Sequence, residues 1–119
     1  MIIGAESHIC LWEGGGASNL GGVHSREVIE NADGTMDLDL IKDRFRLDDD
    51  DHCAKTELIC LENTHNMMGG TAIPTTYIDN VSSLAKELGV KVHLVSRYTD
   101  GFFLTSRRNY FNPISLSVY

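Results

Sequence analysis

Residues 58–94 read LICLENTHNMMGGTAIPTTYIDNVSSLAKELGVKVHL, and this stretch predicts the class of fold. Its first four residues, 58–61, form a continuous apolar run, which is typical of a strand covered on both faces of a sheet. Apolar residues then recur every three or four positions over residues 76–88, which predicts a helix that ends at Gly89. Residues 90–94 are apolar at alternate positions and predict a second strand.

A strand, a helix and a strand joined by short links form a βαβ unit, whose two strands are parallel. The sequence therefore predicts an α/β fold with a parallel sheet of three or four strands. An earlier helix is predicted over residues 37–45, because Leu38, Ile41 and Phe45 recur at spacings of three and four. The acidic residues 48–51 that follow it predict a solvated loop, since neighbouring carboxylates repel each other.

Composition excludes two classes of partner. The formal net charge is -7, with 42% hydrophobic and 23% charged residues, which is ordinary for a globular protein. Such a charge disfavours nucleic acid and anionic membranes, and no apolar run approaches the roughly 18 residues that span a bilayer. The three cysteines form no C-x-x-C pair and indicate a reduced intracellular compartment. The sequence predicts the cytoplasm, with a mitochondrial address upstream as the alternative.

Four polar or glycine-rich features are candidate sites on their residues alone. The glycines 14–16 could form a phosphate-binding loop or a plain turn, and the turn is favoured because the spacing and lysine of a P-loop are missing. His8 alone is better explained by a capping or core role than by a site. His65 follows the first apolar strand, and ligands of open α/β sheets bind beyond the carboxyl ends of strands. His52 and Cys53 lack a second ligand pair, so no metal site is predicted.

Taken together, these features resemble a known family. The matching strings are Ser7-His8-Ile9, Glu13-Gly14-Gly15-Gly16-Ala17, Leu20-Gly21-Gly22-Val23-His24, Asp33-Gly34-Thr35-Met36-Asp37-Leu38 and Leu58-Ile59-Cys60-Leu61-Glu62-Asn63-Thr64-His65-Asn66. Their order and spacing resemble the low-specificity threonine aldolases of the β-eliminating lyase and threonine aldolase family. The resemblance covers residues 1–94 and implies a partial large domain of the pyridoxal-phosphate-dependent, aspartate-aminotransferase-like fold.

The resemblance also implies an activity. These enzymes are lyases that use pyridoxal 5'-phosphate to split L-threonine or L-allo-threonine into glycine and acetaldehyde, and they form homo-oligomers. His8 matches the histidine that stacks on the cofactor ring. His65 matches the histidine near the substrate hydroxyl, where an imidazole can take up a proton. Glu13 is expected at the pocket. The implied partner is a small amino-acid substrate.

The resemblance stops after Leu94. The family continues there with an Asp-Gly-Ala-Arg string whose Asp pairs with the ring nitrogen of the cofactor, whereas this chain reads Val95-Ser96-Arg97-Tyr98. No segment resembles the surroundings of the lysine that anchors the cofactor. Residues 95–119 also hold six of the nine aromatic residues and only one acidic residue.

We therefore expect a partial lyase domain over residues 1–94, a non-matching tail over 95–119, and no activity from the chain alone. The alternative is a non-catalytic product that acts, if at all, by associating with full-length subunits. Such a product would be either a truncated isoform or a fragment that arises from an error in the gene boundaries.

Overall fold

Short strands and helices alternate along the chain. The computed structural model describes residues 1–47 and 50–96. The strands are β1 (Ile2–Gly4), β2 (Arg26–Val28), β3 (Leu58–Asn63) and β4 (Lys91–Ser96). The helices are α1 (His8–Leu11), α2 (Gly16–Asn19), α3 (Leu38–Arg44) and α4 (Thr75–Leu88), with a 3-10 turn over Glu13–Gly15 between α1 and α2.

The four strands form one parallel sheet in the order β2-β1-β3-β4. Strand β3 pairs with β4 along its full length, from Leu58 opposite Lys91 to Asn63 opposite Ser96. Helix α4 connects these two strands, because parallel neighbours need a crossover connection. The predicted βαβ unit and the predicted α/β fold are confirmed.

Helix α4 begins one residue before the predicted start and ends where predicted. It follows Pro74, whose fixed φ suits the entry to a helix. It is terminated by Gly89, which has a φ of 70°, a left-handed conformation that favours glycine. Val81, Leu84 and Ala85 are buried, so the apolar spacing in the sequence predicted both the helix and its buried face.

Helix α3 begins at an aspartate cap. The Asp37 carboxylate accepts a hydrogen bond from the backbone N–H of Asp39 at 2.8 Å, and this satisfies one of the free N–H groups of the first turn. Ile41 is fully buried, and Phe45 is the C-terminal cap. The helix predicted over residues 37–45 is confirmed, with its two end residues acting as caps.

The apolar core lies between one face of the sheet and helices α3 and α4. Ile2, Ile59 and Val81 are fully buried in this cluster. Side chains alternate between the two faces of a strand, so Ile3 and Cys60 lie on the opposite face, where both are also buried. Burial raises the pKa of the Cys60 thiol to about 11, so this cysteine remains a neutral thiol at physiological pH.

Strands β1 and β2 and the two four-residue helices were not predicted. Each of the two strands has three residues, too few to show a periodicity. At the other end of the described chain, β4 continues to Ser96. Residues 97–119, and with them almost all of the predicted tail, lie outside the described residues, as do Asp48 and Asp49 of the predicted acidic loop.

Within residues 1–47 and 50–96, no helix has the length and apolar character that a membrane span requires.

Candidate active site

Three parallel strands end side by side at the carboxyl edge of the sheet. Glu6 and His8 follow β1, Glu30 follows β2, Glu62 lies at the end of β3, and His65 follows that strand. Ligands of open α/β sheets bind outside this edge. The fold therefore gathers three carboxylates and two imidazoles from distant parts of the chain at the place where a ligand would bind.

Glu62 joins the segment after β1 to the loop after β3. It is 5% exposed; its Oε2 atom accepts a hydrogen bond from the backbone N–H of His8 at 2.5 Å, and its Oε1 atom accepts one from the N–H of Asn66 at 2.9 Å. A buried carboxylate is stable only when donors of this kind satisfy it. The start of α1, and with it His8, is thereby held against β3.

The imidazole of His8 is half-buried and has one polar partner among the residues that the structure describes. Its Nε2 atom lies 2.8 Å from Oε1 of Glu13, and its ring centroid lies 6.3 Å from that of Trp12 at an interplanar angle of 33°. Its Nδ1 atom is buried and has no hydrogen-bond partner among the described residues. One ring nitrogen is therefore held by Glu13, and the other is left for a group outside these residues.

Glu13 occupies a strained turn. Its φ is 58°, and Gly14 and Gly15 follow with φ of 57° and 66°, so three successive residues are left-handed. Glycine adopts this conformation freely, whereas a residue with a Cβ atom does so at an energetic cost. Strain of this kind is concentrated at functional sites. The glycines 14–16 lie in this tight turn, which directs Glu13 back to His8.

His65 is buried just beyond β3. It is 1% exposed, and its Nε2 atom lies 3.1 Å from Oε1 of Glu30, a pair whose side chains are each 2% exposed. Its backbone N–H donates to the carbonyl of Thr71 at 2.9 Å. Its Nδ1 atom is buried without a partner among the described residues. Because the ring is buried, a ligand can contact it only through a water molecule or after the residues that cover the ring move.

The turn between β2 and α3 forms part of that cover. Asp33 accepts hydrogen bonds from the hydroxyl and the backbone N–H of Thr35 at 2.7 and 3.0 Å, and these bonds lower the pKa of the Asp33 carboxyl. Gly34 in the same turn has a φ of 79°. A Cβ atom there would lie 3.0 Å from Cβ of His65, so the close approach and the backbone conformation both require glycine.

Tyr77 of α4 holds this turn from the other side. Its hydroxyl donates to the carbonyl of Met36 at 2.8 Å and accepts from the N–H of Met36 at 2.9 Å. Burial raises the pKa of Tyr77 to about 12, so the hydroxyl keeps the proton that it donates. The long helix and the turn beside His65 are therefore connected by a pair of hydrogen bonds.

Two of the three predicted site residues are in contact. His8 and Glu13 pair directly, whereas His65 contacts Glu30 instead of either of them. Whether the two imidazoles serve one pocket stays a prediction. Glu62 and Glu30 were not predicted. Glu62 had a usable signal, since it directly follows an apolar strand, but Glu30 had none, because only the adjacency of β1 and β2 brings it to the edge.

A shallow cleft with a volume of about 10 Å³ opens near this edge. Ser7, Glu62 and Val95 line it together with apolar residues of β1, β3 and α1, and neither predicted histidine does. Ligand pockets usually measure about 300–1,000 Å³. The cleft is therefore too small for a cofactor with its substrate, and the described residues form only part of such a site.

The described residues fit one part of a pyridoxal phosphate site. His8 offers a half-buried aromatic ring with an orphaned nitrogen at the carboxyl edge, which suits a group that lies against a planar heterocycle. They do not offer a covalent anchor. Lys91 begins β4 at the opposite, amino-terminal edge of the sheet, and Lys42 pairs with Asp39 at 3.9 Å on α3. Lys55 precedes β3, and Lys86 lies in the last turn of α4.

No group of three or more His, Cys, Asp or Glu residues that could hold a metal ion occurs in the described ranges.

Comparison with known proteins finds relatives of this chain. The chain is 47% identical over 95 residues to "Probable low-specificity L-threonine aldolase 2" of Arabidopsis thaliana, a match that covers 79% of this chain and 27% of the relative. It is 36% identical over 93 residues to the low specificity L-threonine aldolase of Escherichia coli strain K12, covering 78% and 27%. The chain thus spans about a quarter of the length of these relatives.

Structural similarity agrees with the sequence matches. The threonine aldolase of Leishmania major superposes with a TM-score of 0.65 at 21% identity, over 78% of this chain and 26% of that chain. This match shows the fold, and it confirms that the parallel sheet is part of the predicted aspartate-aminotransferase-like domain. The sequence model of the beta-eliminating lyases matches residues 1–99. The chain therefore belongs to the beta-eliminating lyase family.

Proposed function

We propose that this chain supplies part of the active site of a pyridoxal-phosphate-dependent lyase that cleaves L-threonine or L-allo-threonine into glycine and acetaldehyde. The observation that carries the proposal is a pair of imidazoles at the carboxyl edge of a family-matching sheet, His8 and His65, each with a buried, unpartnered Nδ1 atom among the described residues. A buried polar atom without a partner costs about 1–3 kcal/mol. Such atoms are expected where a ligand completes the site.

His8 and Glu13 form the cofactor-binding part of the proposal. When bound, pyridoxal phosphate supplies the electron sink for cleavage next to the amino-acid α-carbon. His8 would hold the cofactor ring, and its orientation is fixed by Glu62 at its backbone and by Glu13 at Nε2. Glu13 is exposed enough to line the pocket as well as to hold His8.

His65 is the proposed catalytic residue. It takes up the proton of the substrate β-hydroxyl, and the oxygen keeps the electron pair that then drives cleavage of the bond to the α-carbon. Its burial makes a relay through water the route that we propose. Nδ1 is the ring atom that accepts the proton, because Nε2 is already paired with Glu30.

The 119-residue chain alone is proposed to be inactive. Its four lysines lie away from the carboxyl edge, near the amino-terminal edge of the sheet or on helices α3 and α4. No family-like Asp-Gly-Ala-Arg string follows Leu94 to meet the cofactor ring nitrogen. A catalytic site therefore needs other segments to supply the lysine that anchors the cofactor and the aspartate that pairs with its ring nitrogen.

A chimera tests the function. Residues 1–94 replace the corresponding segment of the Escherichia coli low specificity L-threonine aldolase, which is 36% identical to this chain over 93 residues. We expect the chimera with pyridoxal phosphate to release glycine and acetaldehyde from threonine well above the rate of the cofactor alone. The 119-residue chain with cofactor should match that background. A folded, cofactor-loaded chimera that leaves threonine intact would refute the proposal.

A second candidate function is association with full-length subunits. Leu11, Trp12 and Leu20, in and just after the first two helices, are 45%, 50% and 88% exposed. Apolar side chains exposed this close together in sequence favour contact with another protein surface. Co-expression of the tagged chain with a full-length family member tests this candidate. Recovery of a stable hetero-oligomer supports it, and recovery of the tagged chain alone refutes it.

A further inference from the structure

Glu30 is held at the carboxyl edge by two polar contacts. Its Oε2 atom accepts a hydrogen bond from the backbone N–H of Glu6 at 3.0 Å, and its Oε1 atom lies 3.1 Å from Nε2 of His65. The side chain is 2% exposed, although its backbone is partly accessible. The carboxylate crosses directly over the end of β1, where a Cβ atom on Gly4 would overlap Oε1. Glu30 therefore links the ends of β1, β2 and β3.

This arrangement constrains the protons on His65. An ionised carboxylate only accepts hydrogen bonds, so the imidazole atom that faces Glu30 must carry a proton. The neutral ring has one N–H and one lone pair, and the proton on Nε2 leaves the lone pair on Nδ1. Nδ1 is the buried atom that has no partner among the described residues.

We propose that Glu30 is a positioning residue that locks His65 in the Nε2–H form, so that Nδ1 is the atom that exchanges protons. The inference rests on the proposed function for its catalytic meaning, but the lock itself is a property of this chain. When Nδ1 gains a proton, the imidazolium formed stays paired with the Glu30 carboxylate. The proton acceptor is thus oriented, and its charge is balanced, by one side chain.

The substitution Glu30→Gln tests the proposal, because the Glu30 carboxylate contacts both the backbone N–H of Glu6 and Nε2 of His65. A glutamine side chain has one acceptor oxygen and one NH₂ donor. The backbone N–H of Glu6 can only donate, so it claims the oxygen and leaves the NH₂ group facing Nε2 of His65. His65 can avoid a clash of donors only by moving its proton to Nδ1. The substitution is therefore expected to invert the tautomer.

The measurement is 15N NMR of the 119-residue chain labelled with 15N-histidine, taken at a pH where the ring is neutral. His65→Gln identifies the signals of His65 among the five histidines. We expect a protonated Nε2 and an unprotonated Nδ1 in the natural chain, and the reverse in Glu30→Gln. Glu27→Gln, an exposed glutamate on β2, is the matched control and should leave the His65 signals unchanged.

Two outcomes would overturn the proposal: a proton on Nδ1 in the natural chain, or an unchanged tautomer in a folded Glu30→Gln variant. If that variant does not fold, the tautomer of the natural chain still decides the matter. Neither readout depends on turnover. If His65 has the expected tautomer but the chimera is inactive, the proposed function is refuted and the role of Glu30 is not. If the chimera is active but His65 lacks the expected tautomer, only the role of Glu30 is refuted.

Discussion

Gly4 is the residue on which the geometry at the carboxyl edge depends most closely. A methyl group there would overlap both Oε1 and Cδ of Glu30. Gly4→Ala should push the carboxylate away from its two donors on Glu6 and His65. We expect the free energy of unfolding to fall by about 2–4 kcal/mol, measured by urea unfolding followed by circular dichroism.

Gly16→Ala is the control for this substitution. Gly16 has helical backbone angles, and a Cβ atom there meets no heavy atom within 4 Å. Alanine at such a position should leave stability unchanged or raise it by about 0.4–1 kcal/mol. Equal effects of the two substitutions would show that Glu30 does not pass over Gly4 as described.

At the scale of single residues, a local sequence signal pointed to His65 but not to Glu30, the side chain that contacts it. His65 was predictable because a polar cluster follows an apolar strand. Glu30 lies 35 positions away from it in sequence, and its partner is set by strand order, which no short pattern encodes. Its burial was equally hidden, because a lone glutamate after a short segment is usually solvated.

The cap of α3 is the interaction to test at the scale of elements. Asp37 accepts the N–H of Asp39 at 2.8 Å, and the loss of such a cap costs about 0.5–2 kcal/mol. Asp37→Ala should lower the free energy of unfolding by about 1 kcal/mol. Asp43→Ala, an exposed acid near the C-terminal end of the same helix, should change it little or raise it slightly.

Comparable losses from both aspartates would contradict the capping role and would point instead to a general effect of charge. The test is informative because α3 follows the turn that covers His65. A loosened helix start is expected to increase hydrogen exchange at residues 31–37 before it affects α4.

Helices and strands long enough to show a repeating spacing of apolar residues were predictable, and shorter ones were not. Residues 76–88 show almost four turns of apolar spacing, and α4 was confirmed to within one residue. Strands β1 and β2 have three residues each and are specified by pairing with neighbours, as in the register of Ile2 with Arg26 and with Ile59. Yet these two strands bring His8 and Glu30 to the carboxyl edge, so the missed elements are those that assemble the site.

At the scale of the whole molecule, the chain contains one side of a site. It spans about a quarter of its relatives, and its described residues present two imidazoles and three carboxylates at the carboxyl edge but no lysine there. A cleft of about 10 Å³ agrees with a site that other segments enlarge and complete. The family resemblance was visible in sequence because strings such as Leu-Glu-Asn-Thr-His-Asn combine a strand end with its polar residues.

The central claim is that the catalytic residue of the proposed reaction, His65, lies at the carboxyl edge of this sheet. The most direct test is to measure kcat for threonine cleavage by the chimera that carries His65→Ala. General acid–base catalysis contributes about 10²–10⁴-fold, so kcat should fall at least about 100-fold. His52→Ala is the control, since the His52 side chain is 95% exposed and pairs with Asp50, two residues before it. It should leave kcat unchanged. A cofactor-loaded His65→Ala chimera with the same kcat as its parent would contradict the account.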